Sequence, residues 1–279
     1  MNVAVVGLGL IGGSICKTLR KNTNHSIRGI ETDEAALREA LSQEAIHSAI
    51  TPEELSGADV TFLCLYPEAT IDFVRAHADC FAKGSIVVDV CGVKQAVVSA
   101  VSPLLRERGV IFIGGHPMAG REFSGFAYST AELFRNASFI LTPEPDTEQH
   151  AIFVVEMLAE QLGFGQIVRT TPKEHDRIIA FTSQLAHIVS NAYVKSPSLL
   201  MQKGFSAGSF QDLTRVAKLN EGMWTSLFLL NKEALLAELS TLEQHLDQYR
   251  QALEQEDGER LRELLRDGRL LKEESLKQK

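Results

Sequence analysis

The stretch "NVAVVGLGLIGGSICKTLRK" (residues 2–21) decides the fold. Its opening "NVAVVG" is a short apolar run, rich in β-branched residues and ending in glycine, whereas "GGSICKTLRK" carries helical spacing, so the segment reads as strand, tight turn, helix. The turn holds a G-x-G-x-x-G pattern of Gly7, Gly9 and Gly12, with Leu8, Leu10 and Ile11 between them. Gly7 permits the tight turn, Gly9 lets the backbone approach a pyrophosphate, and Gly12 lets helix and strand pack closely, with phosphates on the helix N-terminus. Such glycines also occur in ordinary turns. Here a second strand, "SIRGIE", follows and ends in Glu31, about 20 residues on, where a carboxylate hydrogen-bonds the adenosine ribose hydroxyls. A solvated strand-end charge is the plainer reading of Glu31 alone. All the parts in order indicate a dinucleotide site, and Thr32 standing where an arginine would favour a 2′-phosphate points to NAD rather than NADP.

Outward from this unit the alternation continues. Helix "DEAALREALSQ" has Asp33 as N-cap; strand "DVTFLCL", helix "ATIDFVRAHADCF", strand "SIVVDV", helix "KQAVVSAVSPLLRER" and strand "VIFIG" follow. That order builds a doubly wound parallel sheet. "SFILTPEP" and "GQIVRTT" read as its last strands, with helix "TEQHAIFVVEMLAEQLG" between them. Beyond Pro172 long helices dominate. The expected architecture is an α/β Rossmann-type dinucleotide-binding domain over residues 1–171, followed by an all-α C-terminal domain over residues 172–279. The charged end "LLRDGRLLKEESLKQK" reads as a solvated helix that frays.

The composition limits the partners. Of 279 residues 44% are hydrophobic, enough to build a core, and the formal charge of −8 argues against a nucleic-acid surface and for a small-molecule partner. Cys16, Cys64, Cys80 and Cys91 form no CxxC pair and read as reduced core residues, which suits the cytoplasm. No apolar run approaches the roughly 20 residues a membrane span needs, and no basic leader precedes the first strand, so a soluble, unexported protein is expected.

"GGHPMAGRE" (residues 114–122) directly follows the apolar run "GVIFIG". If "VIFIG" is a parallel strand, this segment hangs from its carboxyl end, the edge where doubly wound folds bind ligands. Pro117 restricts His116 to extended backbone and the glycines permit close approach, so the segment reads as a rigid loop presenting a histidine. By local sequence alone, a loop histidine bonding a carbonyl fits as well.

The segment "GGHPMAGREFSG" resembles the H-P-x-A-G-x-E motif of prephenate dehydrogenases, enzymes of tyrosine biosynthesis. The likeness extends to "VAVVGLGLIGGS", "DVCGVK" (89–94), "EHDRIIAFTSQLAHIVSNA" (174–192), "FQDLTRVA" (210–217) and "MW" (223–224). The resemblance implies that His116 hydrogen-bonds the ring hydroxyl of prephenate and takes its proton while hydride leaves the same carbon for NAD+. An imidazole near its ordinary pKa of about 6.5 suits that task. It also implies that Arg215 binds substrate carboxylate, that Ser183 and His187 face substrate, and that Glu122 lies near the site mouth. Lys94 and Trp224 are retained; their plain readings are a solvated helix-start charge and a core aromatic. At helical spacing Ser183 and His187, four apart, share a face. Asp176 shares it too and serves equally well as a structural acid, whereas His175 is off that face. No metal-ligating residue is assigned.

Two positions depart from the family pattern: Gly92 stands where a serine is common in D-x-x-S-x-K, and Gln184 where a histidine is common in S-H-L-P-H. The serine's hydrogen bond must be replaced, by water or backbone. The expected activity is NAD-dependent prephenate dehydrogenation, with arogenate dehydrogenation as the alternative on the amino-acid form of the substrate. A NAD-binding regulatory protein without catalysis is the reading from another class; His116 and Arg215 together weigh against it. Apolar helical surface in the second domain, like the family's habit, indicates a homodimer. The chain is also expected to lack the regulatory domain and the fused mutase of some relatives.

Overall fold

The computed structural model describes residues 1–121 and 123–277. The strands are β1 (Asn2–Val6), β2 (Ser26–Ile30), β3 (Ser48–Ala49), β4 (Val60–Leu63), β5 (Ile86–Asp89), β6 (Ile111–Pro117), β7 (Ser138–Thr142) and β8 (Gln166–Arg169). The helices are α1 (Leu10–Asn22), α2 (Glu34–Ser42), α3 (Pro67–His77), α4 (Gln95–Arg106), α5 (Gln149–Leu162), α6 (Pro172–Ile179), α7 (Ala186–Tyr193), α8 (Gly208–Thr214), α9 (Glu221–Leu230), α10 (Lys232–Glu254) and α11 (Gly258–Ser275).

In β1 the alternating pleat explains the unbroken apolar run. Val3 and Val5 face one core layer and Ala4 and Val6 the other. With helices on both faces, Val3 to Val6 must all be apolar, whereas Asn2 at the exposed start of the strand can be polar. The first layer joins Ile15, Cys16 and Leu19 of α1 to Val155 and Leu158 of α5; the second joins Val74 of α3 to Val97, Val101 and Leu105 of α4. Each fully buried valine or leucine contributes roughly 1.5–3 kcal/mol. Asp33 caps α2 as its position implies, accepting from the Ala35 and Ala36 amides.

The sheet order is β3-β2-β1-β4-β5-β6-β7-β8. It is parallel except for the pairing of β6 with β7, which is antiparallel. Chain direction reverses sideways at β1, which lies between β2 and β4, and this places the ligand crevice over its carboxyl end. Two details differ from expectation. The two-residue β3 is too short to carry a sequence pattern and adds an edge strand to the expected sheet. His116 and Pro117 lie inside β6, not in a loop: β6 outruns β5, and β7 continues the pairing through His116↔Ile140 and Pro117↔Phe139.

Among the described residues no strand follows β8. By packing, the chain forms two compact units, Met1–Asn231 and Lys232–Lys279, so α6–α9 belong with the sheet. The second unit consists of α10 and α11, joined by a hydrogen bond from the Tyr249 hydroxyl to the Leu264 carbonyl (3.3 Å), with Asp257 capping α11 through the Arg260 amide. All four cysteines are free. Among the described residues no helix is long and apolar enough to cross a membrane.

Candidate active site

The residues Ile30, Val6, Leu63, Asp89 and Gly114 form one row of paired positions at the carboxyl edge of the sheet. The glycine loop follows Val6 and His116 lies two residues past Gly114. From β1 to β6 is three strand spacings, about 14 Å. A dinucleotide lying along this edge would have its phosphates over the loop and its far end beside His116.

Each loop glycine has its own steric reason. Gly7 has φ +87°, and a β-carbon there would sit 2.6 Å from the Cys64 carbonyl oxygen. At Gly12 a β-carbon would overlap the Gly7 carbonyl oxygen and stand 3.1 Å from Cys64 Cβ. At Gly9 it would meet nothing within 4 Å. The first and third glycines thus serve the packing, and the second opens onto the crevice, a cradle that a side chain would fill. Gly9 caps α1 without a side-chain bond, leaving the first-turn amides of Leu10 and Ile11 toward the same space. Glu31 stands beside the loop: its carboxylate accepts from the Leu8 amide (2.7 Å) and from the Thr32 and Asp33 amides.

His116 is held from two sides. Beneath it lies a buried ion pair between Lys94 and Asp89; the Lys94 ammonium also donates to the Gly115 carbonyl (2.6 Å), and Asp89 accepts from the Gly115 amide (3.3 Å). The adjoining glycines make room for this: a β-carbon on Gly115 would stand 2.7 Å from the Asp89 carbonyl oxygen, and one on Gly114 would press on Val98 and Lys94 at 3.1 and 3.3 Å. Lys94 is therefore a buried structural cation, not a solvated charge. Removing one partner of such a pair typically costs 3–5 kcal/mol.

From the other side comes α6. Thr171 caps it, accepting from the Glu174 amide, and Pro172 fills its first position. His175 Nε2 lies 2.9 Å from His116 Nδ1, and His175 Nδ1 lies 2.7 Å from Asp176 Oδ1. The Asp176 carboxylate also accepts the Lys94 amide (2.7 Å) and the Gln95 amide (2.8 Å). Helical phase alone turns His175 off the Ser183–His187 face; in three dimensions it touches His116. The signal available was the adjacent His-Asp pair in the first turns of a capped helix. Burial, the neighbouring His175 ring and the Lys94 ammonium hold the His116 pKa well below 6.5. Burial also lowers that of His175, against the opposing pull of Asp176. Both rings are therefore neutral at pH 7, and the expectation of an unperturbed His116 is corrected: desolvation disfavours its charged form.

α6 and α7 are joined by one π-helical turn, Ala180–Leu185. The extra residue shifts the phase, so Gln184, eight residues after Asp176, takes the buried face, and Ser183 is half-buried. Gln184 donates to the Leu227 carbonyl (3.1 Å) and accepts from Asn231 (2.8 Å), which also donates to the Asp176 carbonyl (2.9 Å). This network seats α9. There Leu227 packs beside Gly92, while Trp224 stacks on His187 with ring centroids 3.8 Å apart. Trp224 is thus a ring partner of a candidate site residue, not a plain core aromatic. His187 Nδ1 donates to the Ser183 carbonyl (2.9 Å); burial lowers its pKa, with the Ser183 bond opposing and the Arg215 charge adding to the drop. Arg215 opens a short 3₁₀ turn after α8 and is exposed. α9 therefore touches both groups, the Gly92 position beside His116 through Leu227 and His187 through Trp224. Glu122 lies outside the described residues.

A β-carbon on Gly92 would stand 3.5 Å from a Leu227 methyl and 3.9 Å from His116 Nε2. A serine would fit there and reach Nε2. In this chain the side-chain bond to His116 comes instead from His175, on Nδ1.

The family model described as the nucleotide-binding domain of prephenate dehydrogenase matches residues 15–168, and the one described as its dimerization domain matches residues 171–267. The chain belongs to the prephenate dehydrogenase family. It is 33% identical over 270 residues to the prephenate dehydrogenase of Bacillus subtilis, covering 93% of this chain and 72% of that protein. The structure is similar to that of Synechocystis arogenate dehydrogenase, at 29% identity and TM-score 0.86 over 99% of this chain and 100% of that one. It is equally similar to A. aeolicus prephenate dehydrogenase in complex with hydroxyphenyl propionate and NAD+, at 28% identity and TM-score 0.87 over 98% of each chain. The chain is thus an oxidoreductase with a family nucleotide-binding domain and a helical C-terminal region.

Proposed function

We propose that this protein catalyses the NAD+-dependent oxidative decarboxylation of prephenate to 4-hydroxyphenylpyruvate in tyrosine biosynthesis, with His116 as the base. The observation that carries the reading is His116 Nε2 facing the crevice at Gly92, three strands from a glycine loop shaped for a dinucleotide. The open space at Gly9, the first-turn amides of α1 and the Glu31 carboxylate fit the pyrophosphate and ribose of NAD. Bound there, NAD+ supplies the hydride acceptor.

His116 Nε2 takes the proton of the ring hydroxyl as hydride leaves the carbon that bears it. Loss of the ring carboxylate as CO2 sends its electron pair into the ring and aromatises it, and the phenolate oxygen recovers the proton from His116. No net proton is released. Arg215 offers a bidentate fork to a substrate carboxylate, with His187 and Ser183 beside it. Arogenate dehydrogenase activity is favoured by one observation, the likeness to the Synechocystis enzyme. We place the enzyme in the cytoplasm as a homodimer joined through its helical domain, a reading supported by the matched dimerization model and by the exposed Leu200, Met201 and Phe205.

The test is the purified protein with prephenate or arogenate, each with NAD+ or NADP+, followed by absorbance of the reduced nicotinamide. Turnover of prephenate with NAD+ at the highest kcat/KM supports the proposal. A preference for arogenate or NADP+ replaces that part of it, and no turnover of either substrate sinks it.

A further inference from the structure

The three-residue chain His116–His175–Asp176 has only one arrangement of protons that satisfies every contact while both rings are neutral. Asp176 already accepts two backbone amides, one on each oxygen, so its carboxylate is the acceptor toward His175. His175 Nδ1 must then carry the proton, which leaves His175 Nε2 with a lone pair. Across the 2.9 Å contact the donor must be His116 Nδ1–H. A neutral imidazole has one N–H, so His116 Nε2, the nitrogen that faces Gly92, is the unprotonated one.

We propose that His175, oriented by Asp176, is a positioning residue that locks His116 in its Nδ1–H tautomer and thereby keeps Nε2 free to act as the base. This deepens the proposed function and rests on it for the identity of the reaction, though the tautomer itself belongs to the resting protein. The arrangement fits the chain's departure at Gly92, where no side chain is present to hold the Nε2 edge. His175 holds the opposite nitrogen on the far side of the ring. When Nε2 takes the substrate proton, the imidazolium that forms still donates Nδ1–H to the His175 lone pair, so no bond has to be remade during the step. Without an acceptor at position 175, the isolated imidazole is free to adopt the other tautomer, in which Nε2 carries the proton and cannot accept one.

The test combines spectroscopy with kinetics. Protein carrying ¹⁵N-labelled histidine is studied by long-range ¹H–¹⁵N correlation, with the His116 ring assigned from its loss in His116→Asn. The expected result for the unliganded wild type near pH 8 is a protonated, pyrrole-like Nδ1 and a pyridine-like Nε2; the reverse pattern overturns the proposal whatever the substrate proves to be. In His175→Leu, kcat is expected to fall on the order of 10² to 10⁴-fold, the range of general-base catalysis and of a mis-set catalytic tautomer, with KM for the substrate changed less than about threefold. His175→Gln can place an amide oxygen near the former Nε2, so it is expected to recover kcat to within about tenfold of wild type. A merely structural role predicts instead that both variants lose activity in step with their loss of thermal stability, and that outcome also overturns the proposal. If neither natural substrate is turned over by the wild type, the functional reading fails, while the tautomer is still decided by the spectra.

Discussion

Replacing Gly12 by alanine sets a methyl group against the Gly7 carbonyl oxygen and 3.1 Å from Cys64 Cβ, whereas the same change at Gly9 meets no atom within 4 Å. The two substitutions add the same methyl group three positions apart, yet they probe different things. At position 12 the obstacle is backbone, which no rotamer change can relieve, so α1 must move away from β1 and loosen Ile15, Cys16 and Leu19 in the core. Overpacking of this kind costs 1–3 kcal/mol, and a backbone obstacle puts it near the upper end, about 3 kcal/mol. At roughly 2–4 °C per kcal/mol for a chain of this size, Tm should fall by about 6–12 °C. At position 9 the backbone φ of −72° is open to alanine, and loss of a glycine N-cap costs about 1 kcal/mol or less. There Tm should move by no more than about 4 °C, but the methyl occupies the cradle for the pyrophosphate. Losing one or two amide bonds to a charged phosphate, at about 1.5–3 kcal/mol each, should raise Kd for NAD+ at least tenfold. Thermal melts by circular dichroism and titration calorimetry with NAD+ separate the two effects. A Gly9→Ala protein that binds NAD+ like wild type would refute the placement of the phosphates, and a Gly12→Ala protein with unchanged Tm would refute the packing argument.

Three further outcomes follow from the site. His116→Asn should lower kcat on the order of 10²-fold or more with substrate Kd little changed; because burial holds its pKa down, the wild-type kcat/KM should stay level through neutrality and fall only well below pH 6.5. A limb centred near pH 7 in the wild type would contradict the desolvated setting. Arg215→Ala should raise KM for prephenate about 10- to 100-fold with kcat within about threefold, since a carboxylate bond is made in ground and transition states alike; an unchanged KM makes the arginine structural. Finally, His116, His175 and His187 all have lowered pKa values when folded. Below about pH 6.5 the unfolded chain takes up these protons first. Stability is therefore fully present above that pH and is lost as pH falls toward the folded values, by up to about 1.4 kcal/mol per pH unit for each of the buried His116 and His175 and by less for the half-buried His187, which water screens. Urea midpoints that are equal at about pH 7.5 and about pH 5.5 would show that these rings are not held neutral by the fold.

What residues 2–31 determined by themselves was the whole logic of the first domain. An apolar run covered on both faces, glycines at fixed offsets and a terminal acid are local features, each set by backbone sterics or by period, and they can be read without knowing any neighbour. The turn to helices beyond Pro172 was legible for the same reason. The chemical residues were legible only through resemblance, because a histidine beside a proline carries no local sign of its use. Tertiary structure alone decided three things. It placed His116 within a strand, since β7 returns antiparallel to extend β6, and that pairing joins residues more than 20 apart. It gave Lys94 to the core, because its partners Asp89 and Gly115 meet it only when β5, β6 and α4 converge. It also brought His175 to His116 across 59 residues of chain, where helical phase counted from Ser183 had turned it away. That count assumes a regular α-helix, whereas Ala180–Leu185 is a π-helical turn in which Gln184 makes long-range bonds to Leu227 and Asn231 that no local period encodes.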